Sequence, residues 1–309
     1  MIPGMIALAS ICEYMDSTLG MGYGTTLTPV LLIIGYDPLE VVPAVLLSEL
    51  FSGLLAGFLH HKEGNVDFKP KMIDLTEINS ELKTFIYIKH IKRSLPRHLK
   101  VALLLAFCSV IGTISAVLIA VNLSEFWIKL YIGILVLSMG ITILACFNKT
   151  FRFSWKKIIG LGLMASFNKG ISGGGYGPII TSGQVLSGVD GKNAVGITSL
   201  AEGLTCAVGI STYFLVSGNT LNPLLTFCII TGAFISVPFS VKSVKSLTGK
   251  KLKLGIALLT ILLGGLYLIE TVPVSLPGAF APALTLKAWR LKLDAAYTFP
   301  LSTLIWYNL

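Results

Sequence analysis

The sequence is short of charge. Of its 309 residues only 13% are Asp, Glu, Lys or Arg, against about 25% in an ordinary soluble domain. Cysteine is also scarce. Cys12, Cys108, Cys146, Cys206 and Cys228 stand singly in apolar segments, with no metal-ligand spacing and an odd count that argues against a disulfide framework. They read as small buried hydrophobes, and neither a metal nor a cofactor is expected. No Walker A sequence is present, so primary pumping by this chain alone is not expected. Residues 1–36 contain no Lys or Arg and so lack the basic start of a cleaved signal peptide.

What is present in quantity is apolar surface. Hydrophobic residues make up 54% of the chain, and several runs approach the ~20 residues that span a bilayer. The composition predicts a polytopic, all-helical membrane protein. Nine of the 24 Lys and Arg lie between Lys62 and Lys100, four between Lys149 and Lys157, and five between Lys242 and Lys253. These clusters sit between apolar runs, where topology and anionic lipid headgroups place them. The net charge of +9 is therefore not a nucleic-acid signal.

Taken in order, the chain offers a glycine-broken stretch over residues 1–36 and a span from Asp37 to His61. That span opens on Asp37-Pro38, a helix cap followed by a first-turn proline. A charged loop follows over residues 62–100, with helical stretches expected around Leu75–Ile91. Two further spans are predicted at Leu99–Leu123 and Phe126–Phe147. The plan then repeats, with a broken stretch at Ile158–Gly188 and spans at Asp190–Val216, Leu221–Val241 and Leu252–Thr271. Residues 272–309 are a proline-rich tail without a counterpart. Within it, Leu284–Phe299 reads equally as a surface amphipathic helix or as a disordered segment.

The two halves share residues as well as plan. Gly20-Met21-Gly22-Tyr23-Gly24 in the first matches Gly173-Gly174-Gly175-Tyr176-Gly177 in the second, an offset of 153. At that offset Thr28 meets Thr181, Gly35 meets Gly188, Asp37 meets Asp190, Leu47 meets Leu200 and Glu49 meets Glu202. A period this long is a duplicated half-protein rather than a solenoid. The halves are residues 1–147 and 148–271.

Charge suggests how they are related. The three basic loops belong on the cytoplasmic side, and the charge-free loop around Ser217–Asn222 belongs outside. Between Lys157 and Ser217 the chain then crosses once, so the broken stretch must return to its own side as a re-entrant hairpin. Each half keeps three full spans, and an odd number inverts the second copy. Inverted repeats with discontinuous helices are a recurrent transporter design. Parallel repeats of four spans are the alternative, at the cost of one misplaced basic loop.

The repeated residues carry the chemistry. Open backbone at membrane depth is tolerated where it is buried in protein or lines a wet cavity. Glycines at a helix break free N–H groups, and the positive ends of half-helices attract an anion. The candidate binding residues are Gly20, Gly22, Tyr23, Gly24, Thr25 and Thr26 in one tip, with Ser172, Gly173, Gly174, Gly175, Tyr176 and Gly177 in the other. The competing reading is close helix packing through glycine. Glu49 and Glu202 lie about twelve residues into their spans, and an ionisable group at that depth is a functional hypothesis by default. They serve either proton coupling or a structural role, accepting hydrogen bonds from the glycine tip of their own half. Asp16 and Lys169 occupy equivalent places with opposite sign. They either pair across the axis, or Lys169 is a fixed cation that favours an anion, or it snorkels. Glu13 has no evident place. His60 and His61, beside Lys62, read as interfacial.

The stretch Asp16–Gly53 (DSTLGMGYGTTLTPVLLIIGYDPLEVVPAVLLSELFSG), with a weaker echo at Asn168–Gly203, resembles the sulfite exporter TauE/SafE family of membrane permeases. The resemblance covers about residues 1–271. It implies a two-repeat permease of the cytoplasmic membrane, without an ATPase domain, that moves small anions, chiefly sulfite and organosulfonates. It carries over to the glycine tips, the adjoining Tyr and Thr, and Glu49 with Glu202. The charged loop and the tail depart from it. The expectation is alternating access with proton coupling, a small inorganic or organosulfur anion and membrane lipid being the partners. A passive channel, or a membrane enzyme using Glu49 and Glu202 as acid and base, are the alternatives.

Overall fold

A computed structural model describes residues 2–69, 96–145, 154–186, 189–218, 221–244 and 249–271. The helix expected around Leu75–Ile91, the tail 272–309 and Cys146 lie outside the described residues. Those residues form ten α-helices and no strand. In chain order they are α1 (Ile2–Leu19), α2 (Tyr23–Ile34), α3 (Pro38–Lys62), α4 (Arg97–Ala120), α5 (Glu125–Ala145), α6 (Trp155–Ser172), α7 (Tyr176–Leu186), α8 (Gly191–Ser217), α9 (Pro223–Ser243) and α10 (Gly249–Thr271).

The helix starts follow local chemistry. Asp37 caps α3 with Pro38 in its first turn. Asp190 caps α8 by accepting from the Lys192 N–H at 3.3 Å, and Asn222 caps α9 by accepting from Leu225 N–H at 3.2 Å. The latter two satisfy backbone donors that a helix start leaves open, whereas the Asp37 side chain makes no such bond. At the other end of α2, Gly35 adopts a left-handed conformation (φ 105°) and closes the helix.

Five helices are long and apolar enough to cross a membrane: α3, α4, α5 (over Glu125–Thr142), α8 and α9. The sixth expected span is present as α10, a helix of 23 residues that opens on Lys250, Lys251 and Lys253 and is not among those five. Large apolar side chains cover the outside, among them Phe58, Phe107, Ile111, Leu215, Phe227 and Phe239. In water such a surface would be a liability, whereas against lipid it is the required one. The chain is a multi-pass membrane protein.

Both glycine-broken stretches are helical hairpins. The Tyr36 hydroxyl, just beyond α2, donates to the Met5 sulfur near the start of α1 at 4.0 Å. A single broken span of that length would hold them roughly 45 Å apart. In the second hairpin, Gly183 of α7 packs against the Leu161 side chain of α6, so α7 likewise returns along its partner.

The remaining helices pack so that the hairpins end deep in the bundle. The α3 and α8 helices cross antiparallel where Gly53 meets Gly203, with Gly57 against Leu200 and Leu46 against Gly209. The α5 and α10 helices are also antiparallel, Gly133 lying on Leu268 and Gly140 on Ile261. By contrast α1 runs parallel to α9, through Ser10 and Gly232, and α6 runs parallel to α4, through Gly162 with Cys108 and Gly170 with Ala116. The end of α3 lies beside the start of α8 (His60 against Gly196), beside the end of α9 (Asn65 to Val241 O, 3.1 Å) and beside the start of α4 (Asp67 N to His98, 3.4 Å). The described residues that flank the basic clusters therefore gather at one end of the bundle.

Candidate functional site

The site is built where the two hairpin tips meet. Each tip turns on a glycine in the left-handed region, Gly20 at φ 67° and Gly173 at φ 68°, a conformation that costs glycine least. The tips then lie against each other with no side chain between them. A Cβ on Gly24 would fall on the Gly173 carbonyl oxygen, and one on Gly177 would fall on the Gly20 carbonyl oxygen. Backbone contact this close admits only glycine, which gives the repeated motif a physical cause.

Hydroxyl groups hold the tips unequally. Thr181 donates to the Gly20 carbonyl at 2.6 Å, and its oxygen lies 2.9 Å from Thr198 Oγ1, which also accepts from the Gln184 amide at 3.1 Å. Its counterpart Thr28 lies beside Gly173, but its hydroxyl is buried without a hydrogen-bond partner, as are those of Thr25 and Thr26. Ser172, expected to serve a ligand, instead closes its own turn. Its hydroxyl donates to the Asn168 carbonyl at 2.7 Å, and its oxygen accepts from Gly174 N–H at 3.1 Å. The repeated tyrosines face the core. Tyr23 is fully buried with its hydroxyl 2.7 Å from Ser48 Oγ of α3, and Tyr176 is fully buried among apolar residues of α4, α5 and α7.

Lys169 is the charged centre. It sits near the end of α6 with its side chain wholly buried, and its ammonium binds Glu202 Oε1 of α8 at 2.7 Å and Glu49 Oε2 of α3. The pairing of Lys169 with Asp16, one of the alternatives read from the sequence, is not formed among the described residues. The antiparallel crossing of α3 and α8 brings both glutamates to the lysine, whereas Asp16 accepts from the Tyr23 N–H at 3.4 Å, at the positive end of α2. The alternative in which each glutamate caps its own glycine tip is also not formed among the described residues, the lysine taking one oxygen of each. The other oxygen of each, Glu49 Oε1 and Glu202 Oε2, is buried with no partner among the described residues.

Several residues here lie outside the sequence-based expectation. Glu13 is 1% exposed, with Oε1 accepting from Ser17 Oγ at 2.6 Å and Oε2 from Ser52 Oγ at 3.0 Å. Its four-residue spacing to Ser17 on one helix face was the available signal. His60 is not interfacial but fully buried. Asn65 folds back beneath it and lies 3.1 Å from Nδ1, while Nε2 lies 3.0 Å from the Ser17 carbonyl. His61 is partly exposed and lies 3.2 Å from the Val66 carbonyl. The end of α6 is steadied from three helices: Thr113 of α4 to Ser166 O (3.2 Å), Tyr131 of α5 to Asn168, and Tyr213 of α8 to Gly170 O (2.9 Å).

Comparison with known proteins agrees with this architecture. A family model described as sulfite exporter TauE/SafE matches residues 5–73 and 83–267. The chain is 28% identical over 246 residues to the probable membrane transporter protein YtnM of Bacillus subtilis (strain 168), covering 74% of this chain and 70% of that protein. No solved structure matches. This chain, a membrane transporter and not an enzyme, belongs to the sulfite exporter TauE/SafE family.

Proposed function

We propose that this protein is a permease for small anions, sulfite or organosulfonates, working by alternating access with proton coupling. The observation that carries the reading is the meeting of two glycine tips beside a single buried ammonium. Lys169 supplies the positive charge for an oxyanion, and the tips supply backbone and the Thr25 and Thr26 hydroxyls, which are buried without partners. Sulfite as the substrate class comes from the family's description.

The two halves, residues 1–147 and 148–271, are read as inverted repeats. Three relationships support this. Each half holds one hairpin followed by three helices. The equivalent helices α3 and α8 cross antiparallel, as do α5 and α10. The tip contacts are reciprocal, Gly24 on Gly173 and Gly177 on Gly20. The gathering of basic segments at one end favours that end as the cytoplasmic one. The first hairpin then opens outward and the second inward.

In this state the tips touch and both glutamates hold Lys169, so the reading takes it as closed. Binding an anion requires the tips to part and Lys169 to exchange a carboxylate for the substrate. Glu49 and Glu202 act in this account as the gate, linking the two halves through one lysine. Saturable counterflow of radiolabelled sulfite or a sulfonate in liposomes bearing the purified protein tests the reading. Flux that rises linearly with concentration would make it a channel.

A further inference from the structure

We propose that Glu13 is the proton-carrying group of this transporter, a carboxyl that is loaded from one side of the membrane and unloaded to the other. The proposal rests on the permease reading above and names the coupling residue within it.

Four carboxyl groups, Glu13, Asp16, Glu49 and Glu202, are buried, and Lys169 is the only buried Lys or Arg among the described residues. Carboxylates away from water need a countercharge or must be neutralised. Glu49 and Glu202 have the lysine. Asp16 has the amide at the positive end of α2. Glu13 has neither, and both its oxygens rest on serine hydroxyls, Ser17 of its own helix and Ser52 of α3. A hydroxyl can turn from donor to acceptor, so this pair accommodates the carboxyl in either protonation state. One oxygen each of Glu49 and Glu202 is buried without any partner, so the cluster is short of protons and not of acceptors.

Among the described residues the surroundings hold few other charged or titratable groups. Facing Glu13 are Cys12 and Asp16 of α1, Tyr23 of α2, Glu49 of α3, Lys169 of α6 and Glu202 of α8. The α9 helix, packed along α1, carries a single charged residue, Lys242, exposed near its far end. Ser166 stands at the equivalent place in the second half, so one carboxyl, not two, carries the proton in each cycle.

His60 is the positioning residue. With Asn65 Nδ2 donating to its Nδ1, the ring's Nε2–H donates to the Ser17 carbonyl at 3.0 Å. That bond fixes the turn of α1 whose hydroxyl reaches Glu13. It also ties the carboxyl to the basic end of the bundle, where α3, α4, α8 and α9 converge.

The test is infrared difference spectroscopy of the full-length protein in lipid nanodiscs across a pH titration. A protonated carboxyl gives a carbonyl stretch that a carboxylate lacks. The expected result is a titrating carboxyl band in the wild type, set apart from those of the exposed Asp and Glu, that is lost in Glu13→Gln and retained in Glu49→Gln and Glu202→Gln. A band that survives Glu13→Gln, or no such band in the wild type at any pH where it is folded, overturns the proposal. Should Glu13→Gln fail to fold, Ser52→Ala keeps the carboxyl and removes one hydrogen-bond partner, and the band must then shift in frequency. An unshifted band overturns the proposal equally. In liposomes, Glu13→Gln should retain anion exchange between equal pools and lose accumulation driven by a pH gradient. If the wild type moves no anion, the permease reading fails while the infrared band still decides the role of Glu13.

Discussion

Lys169 and Glu202 meet at 2.7 Å inside the bundle, the lysine side chain wholly buried and the glutamate nearly so. Glu49 closes on the same ammonium from α3. The lysine thus joins α6 to two helices that cross antiparallel, and its pair with Glu49 is the one ion-paired link between the halves among the described residues.

Removing the lysine strands two buried carboxylates. Lys169→Met is expected to lower stability by about 3–5 kcal/mol, the usual cost of breaking a buried pair from one side. Adding Glu49→Gln and Glu202→Gln should recover much of that loss, because the stranded charges go with it. Thermal unfolding in detergent of the single and triple variants checks this. Equal melting temperatures for Lys169→Met and the wild type would mean that the ion pairs contribute nothing.

Two threonines at equivalent places should respond differently. Thr181→Val loses a bond to the Gly20 carbonyl and a contact with Thr198, and should cost about 1–3 kcal/mol. Thr28→Val replaces a buried hydroxyl that has no partner, and should be neutral or stabilising. Equal melting shifts for the two would contradict the bonding described at the tips.

Much of this was legible in the sequence, and the reasons are local. A glycine triplet within an apolar run has few causes other than a break, and its recurrence located both tips. Asp37-Pro38 marked the start of α3 through a pattern that needs only neighbouring residues. The partners of Lys169 were not legible. Equivalence of position set it against Asp16, whereas the crossing of α3 and α8 decides which carboxylates reach it. His60 was misread for a related reason. Its neighbours His61 and Lys62 suggested the interface, while its burial depends on Asn65 folding back beneath it and on the tip of α1 arriving from another part of the chain.

The tip contact leaves no room for a methyl group. Gly24→Ala would place its Cβ on the Gly173 carbonyl oxygen, so it should push the tips apart and lower the melting temperature. Gly160→Ala is the control. It lies in α6 with nothing within 4 Å of the added atom, and should be neutral or stabilise by about 0.5–1 kcal/mol. Tolerance of Gly24→Ala in both melting and transport would contradict the packed tips.

The first hairpin has a direct covalent test. In a background without the native cysteines, Met5→Cys and Tyr36→Cys should be joined by a bifunctional thiol-reactive cross-linker long enough to replace the two side chains, because the native side chains meet at their ends. Failure to cross-link, with each cysteine shown to be reactive alone, would favour a single broken span.

The most direct measurement is uptake of radiolabelled sulfite into liposomes carrying the purified protein, with and without an imposed pH gradient. The account predicts saturable uptake that becomes accumulative when the gradient is imposed and is lost in Lys169→Met. Absence of any sulfite or sulfonate flux from folded protein would contradict it.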